Sequence, residues 1–159
     1  MFLMCTGITI AWHDVPAKLI QKFQLEERII QRSETAEKEI LFLQRHRRPL
    51  LPVFYEGELQ ILPWGNRQRN CNAPLAWWCE VATLASGAWS IYHPEPAEIQ
   101  ANFGLERGVW FQIREGIQGT IIHDQHEHPY VYMLLQPSSH YYQVMTGYNR
   151  EPVFLGEQI

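Results

Sequence analysis

The chain has 159 residues, 46% of them hydrophobic and 19% charged, with a formal net charge of −4. That profile fits one ordinary folded domain over residues 1–159 and excludes disorder, collagen and repeat arrays. No apolar run approaches the roughly 20 residues of a membrane-spanning helix, and the apolar residues 1–10 lack the basic flank of a secretory signal, so a cytoplasmic location without membrane contact is expected. Cys5, Cys71 and Cys79 are odd in number and lack metal-ligand spacing, so they read as reduced thiols, and no cofactor or metal is expected.

Residues 5–12 are β-branched and alternate, as a first strand should. Asp14 reads as a cap and Pro16 as a first-turn residue of an amphipathic helix that carries Leu19, Ile20 and Phe23 and ends near Gln24. Residues 26–43 mix helix formers with isoleucines and read as a helix with poor caps. The apolar segments 50–55 and 58–62 flank Glu56-Gly57 and predict a hairpin. Leu75, Trp78, Cys79 and Ala82 have near-helical spacing, which predicts a buried helix over 75–84, and a second short helix is expected over 95–102. Strands are then expected over 109–113, 120–122, 130–135, 141–145 and 152–155. The sum is α+β, with a few short helices and a mainly antiparallel sheet curled into a barrel-like core.

Charge is unevenly placed along this order. Residues 45–69 hold Arg45, Arg47, Arg48, Arg67 and Arg69 against two glutamates, whereas residues 70–159 hold three arginines against nine carboxylates. A basic segment in an acidic chain can attract a polyanion without making the whole protein sticky; a solvated loop is the alternative.

Familiar catalytic signatures are missing: there is no Gly-rich phosphate loop, nucleophile elbow or paired-cysteine site. His123, His126 and His128 lie with Asp124 and Glu127 in six residues and could converge on a metal, but their spacing matches no standard site and a solvated hairpin loop between two strands is the better account. Met4-Cys5 offers different chemistry. If translation starts at Met4 and that Met is removed, Cys5 carries a thiol and an α-amine on neighbouring carbons. The amine has a reference pKa of about 7.7–8.0, so part of it is nucleophilic at neutral pH. Such an aminothiol condenses with aldehydes to a five-membered thiazolidine. A start at Met1 would leave Cys5 as an internal strand cysteine.

Four segments in order resemble the SRAP family, the SOS response-associated peptidase fold that shields abasic sites in single-stranded DNA. Met4-Cys5-Thr6-Gly7 is similar to its Met-Cys-Gly start, and residues 48–65 to its Pro-x-x-Pro-Val hairpin ending in Trp-Gly. Residues 108–113 resemble its Gly-Phe-Tyr-Glu-Trp strand, and residues 148–155 its His-Asp-Arg-Met-Pro-Val-Ile-Leu segment, while Asn72-Ala73 resembles its Asn-Ala. The resemblance implies a site of Cys5, Asn72, Gln112 and Tyr148 in one cleft. It puts Gln112 where the family has its glutamate, Tyr148 where it has its histidine, and Pro74 where it has a DNA-contacting arginine. Gln has no titratable group and Tyr is a poor base at neutral pH, so the family's peptidase-type self-processing is in doubt.

Two functions follow. One is a DNA-damage protein that captures abasic sites as a DNA-protein cross-link through Cys5, with Asn72 holding the sugar and Arg45, Arg47, Arg48, Arg67, Arg69 and Arg150 on phosphates and Trp64 stacking on a base. The other is a degenerate module of the same fold that binds nucleic acid or protein without covalent chemistry.

Overall fold

The computed structural model describes residues 6–156, so Cys5 lies outside the described residues. The fold is α+β, as expected, with its mainly antiparallel strands in two sheets that are not closed into a barrel. The first sheet has the order β2-β3-β1-β8-β9, from Ile29–Ile30 (β2), Glu39–Leu43 (β3), Gly7–Ala11 (β1), Phe103–Glu106 (β8) and Val109–Gln112 (β9). The second runs β12-β11-β10-β7-β4-β5, from Arg150–Pro152 (β12), Pro129–Pro137 (β11), Ile117–His123 (β10), Glu95–Ile99 (β7), Leu50–Tyr55 (β4) and Glu58–Pro63 (β5). Trp78–Glu80 (β6) adds to β11 in parallel. Three short helices accompany them: Ala17–Lys22 (α1), Val81–Ala85 (α2) and His140–Thr146 (α3).

The main apolar cluster takes side chains from both sheets. Ile8, Ile10, Ile40 and Phe42 come from the first, and Leu51, Val53, Ile99, Ile121, Val131 and Met133 from the second. Because β1 is the middle strand of its sheet and covered on both faces, all five of its residues are buried and its alternation is lost. Thr9 is the polar member, and its hydroxyl donates to Glu39, which also accepts from Arg32 Nε at 2.7 Å.

The first strand, α1 and the hairpin at Glu56-Gly57 lie where the sequence puts them. Four segments differ. Residues 26–43 are a 3-10 turn and two strands, because Ile40 and Phe42 bury themselves two residues apart with Leu41 half-buried between them. The expected buried helix over 75–84 is β6 followed by α2, and α2 buries none of its residues. The stretch 95–102 contains β7: Ala97 and Ile99 point inward while Glu95 and Glu98 are exposed, the two-residue period of a strand. The expected strand over 141–145 is α3. Ser139 caps it by accepting the Tyr142 N–H at 3.2 Å, and Gly147 ends it with φ 75°. Among the described residues, no helix is long and apolar enough to cross a membrane.

Candidate functional site

The site is built around the start of β1, where Thr6 is held from two sides. Its carbonyl accepts the Gln44 N–H at 2.9 Å, and its hydroxyl donates to the Leu105 carbonyl at 2.8 Å. Gly7 allows this closeness, since a Cβ there would stand 2.6 Å from Leu43 Cδ2 and 2.9 Å from the Phe42 carbonyl oxygen. Gln44 opens the basic turn between β3 and β4, and Leu105 precedes Glu106 at the end of β8.

Glu106 is fully buried, and the Tyr142 hydroxyl donates to its Oε1 at 3.2 Å. Tyr148 lies beside it, also buried, with the Arg107 guanidinium 5.1 Å from its ring centre. Arg107 also donates to the Gly147 carbonyl at 3.2 Å, which ties the β8–β9 turn to the end of α3. Burial and the nearby Glu106 push the Tyr148 phenol up, against the pull of Arg107 and Arg150. At neutral pH Tyr148 therefore holds its proton and can donate a hydrogen bond.

On the other side of Thr6, the turn at 44–48 is fastened by two guanidinium groups. Arg67 donates to the carbonyls of Gln44 and His46, and Arg28 donates to the Arg48 carbonyl at 2.8 Å. Arg45, Arg47, Arg48, Arg67 and Arg69 are all exposed. Two separate segments of sequence thus meet as one cationic face. Arg28, which composition alone had not picked out, belongs to it.

The remaining expected site residues fall elsewhere. Trp64 is only 1% exposed, donates its indole N–H to the Trp77 carbonyl at 3.0 Å and packs edge-on to Trp77, so it belongs to the core and cannot stack on a base. Arg150 gives its Nε to Glu80 at 2.6 Å, an ion pair that removes it from the basic face. Gln112 is exposed and pairs with Phe103, bordering a cleft with Ala11, His13 and Asp14 at the far end of β1 from Thr6. Asn72 is exposed and donates its backbone N–H to Gln125 at 3.1 Å, beside the turn between β10 and β11. Tyr148 leads into β12, which pairs with the opposite end of β11. The described members of the expected quartet, Asn72, Gln112 and Tyr148, therefore do not share one cleft. Glu106 is the carboxylate that the sequence reading missed.

The histidine run is organised by one buried carboxylate. Asp124 accepts the backbone N–H groups of His126 and His128 at 2.8 and 2.9 Å and the Tyr130 hydroxyl at 3.1 Å. Burial pushes its carboxyl up, and those hydrogen bonds outweigh the push and hold it below its ordinary range. Among the described residues, no group of three or more His, Cys, Asp or Glu side chains stands close enough to hold a metal ion.

Compared with protein-family models, curated proteins and solved structures, the chain matches none.

Proposed function

We propose that this chain binds single-stranded DNA and, as an SRAP-like protein, captures the ring-opened aldehyde of an abasic site through Cys5. The observation that carries the reading is the clasp on Thr6. The residue after Cys5 is bonded on one side to the head of the cationic turn and on the other to the residue before buried Glu106. Phosphates on the arginine face would bring a sugar aldehyde to the Cys5 amine. In the chemistry proposed, the amine adds to the aldehyde carbon and water leaves to give an imine. The thiol sulfur then adds to the imine carbon, with its proton passing to nitrogen. One water is released and no electrons are exchanged. Glu106 is the group proposed to move protons during these steps, a role that Gln112 cannot perform chemically. Tyr148, retaining its proton, is proposed to donate a hydrogen bond to the oxygen that departs.

The test is the intact mass of protein beginning at Cys5, incubated with abasic single-stranded DNA. A heat-stable adduct is expected from this form, and none from Cys5→Ala or from protein retaining residues 1–4. Glu106→Gln, which can still accept from Tyr142, is expected to slow adduct formation by about 10²-fold or more while Gln112→Ala leaves it unchanged. An adduct in Cys5→Ala, or no adduct from trimmed protein, would sink the covalent reading. The second reading, a non-covalent binding module, is favoured by one observation: a phenol held protonated stands where the resembling family has a base.

A further inference from the structure

The basic turn holds an imidazole among guanidinium groups, which no residue-by-residue count of arginines reveals. His46 lies at the middle of the turn. Its Nδ1 accepts the Leu43 N–H at 3.2 Å, which requires an unprotonated Nδ1 and leaves Nε2 as the other functional atom of the ring. Arg28, from the 3-10 turn after α1, and Arg45 act on the ring directly, while Arg47 and Arg48 share the turn and Arg67, from the loop after β5, donates to the His46 carbonyl. Glu27 opposes the cluster through its attraction for Arg28. One terminal nitrogen of Arg28 donates to the Arg48 carbonyl, while the other is buried with no hydrogen-bond partner among the described residues. A buried guanidinium N–H without an acceptor, set among like charges, is costly, and an anionic oxygen would relieve both costs at once.

We propose that Arg28, His46 and Arg48 form a phosphate site for one backbone phosphate of the bound strand, and that His46 takes up a proton as that phosphate docks. The inference rests on the nucleic-acid reading above and deepens it, because it assigns a ligand group to specific atoms and couples binding to pH. In the free protein, burial first and then Arg28 and Arg45 push the imidazole down, so it is neutral at pH 7. A phosphate offsets the charge of those two arginines and accepts a hydrogen bond from the ring's Nε2–H, while the proton taken up goes to Nδ1, which then releases the Leu43 N–H. The bound form therefore binds more protons than the free form, and linkage requires affinity to rise as pH falls.

The experiment measures fluorescence anisotropy of a labelled oligo-dT strand on the full chain at constant ionic strength from pH 8 to pH 6. Wild type is expected to gain about three- to tenfold in affinity across that range, the scale of one partly titrating imidazole. His46→Gln is expected to flatten the gain, and Arg28→Gln to weaken binding at every pH. Calorimetry of the wild type in two buffers of different ionisation enthalpy reads proton uptake directly, so the outcome does not depend on a variant folding. A flat wild-type profile with no proton uptake overturns the site, as does a His46→Gln protein that keeps the full pH dependence. If the strand does not bind at any pH, the nucleic-acid reading falls too, whereas binding without proton linkage removes the His46 site alone.

Discussion

Cys71 and Cys79 show what burial does to a reactive atom. Burial, with help from Glu80, pushes the Cys79 thiol up to about 11, and Cys71 is buried with its sulfur directed at Asp124 Oδ2 at 3.8 Å. The thiolate is the reactive species, so Cys79 is quenched by its held proton and both sulfurs are shielded by burial; neither should react in the folded protein. At pH 7.5, a maleimide or disulfide reagent is expected to label native Cys5→Ala protein negligibly, and two thiols after unfolding. Fast native labelling would contradict the packing at both cysteines. The same scale explains why Trp64 and Arg150 were assigned to DNA. A Trp beside arginines and an Arg in a charged stretch look available in a linear sequence, and only the arrival of Trp77 and of Glu80 in space occupies them.

At the scale of elements, the β8–β9 hairpin positions Glu106, and one glycine decides how it packs. Gly104 lies opposite Phe111, whose ring covers it so closely that a Cβ would stand 2.3 Å from Phe111 Cζ. Displaced, that ring would lose its edge-on contacts with Tyr142 and Phe154, at 5.4 and 6.1 Å between ring centres. Gly104→Val is therefore expected to lose about 1–3 kcal/mol in chemical denaturation and to weaken the Tyr142 bond to Glu106. Unchanged stability would show that the ring has room to move. Strands with polar-apolar alternation and a tight turn were legible in the sequence, as in β1 and the β4–β5 hairpin. Those that failed had a competing period: Tyr141, Val144 and Met145 look like strand residues. Yet Tyr142 and Thr146 bury themselves four residues apart between a Ser cap and a Gly stop. Glu106 was illegible for a related reason, since its β8 was hidden by the helix expected just before it.

Across the whole molecule, β4 joins two electrical poles. It begins after the cationic turn and ends at Tyr55, whose hydroxyl donates to Glu95 at 2.9 Å, close to a cleft of about 750 Å³ lined in part by Glu56 and Glu98. The poles stand about 20 Å apart, the length of a six-residue strand, which exceeds the screening length in physiological salt. A polyanion therefore meets the arginine face with little repulsion from the far end. If about three phosphates are neutralised there, log affinity for single strands is expected to fall with log salt at a slope of roughly −2. The double variant Arg47→Glu, Arg48→Glu should flatten it. The expectation fails if slope and affinity are unchanged, for the strand would then lie on another surface.

The position of β1 also governs when the site can exist. Its two neighbours are β3, which follows within a few dozen residues, and β8, which comes nearly a hundred residues later. During synthesis the first strand can pair with β3 early, but its second edge stays open until residues 103–106 have left the ribosome. The hydroxyl of Thr6 has no Leu105 carbonyl to meet before then, and Glu106 is not yet made. Such sequence-distant pairing slows folding. It also has a consequence for the proposed chemistry: the buried carboxylate assigned to it is not in place until most of the protein has been translated.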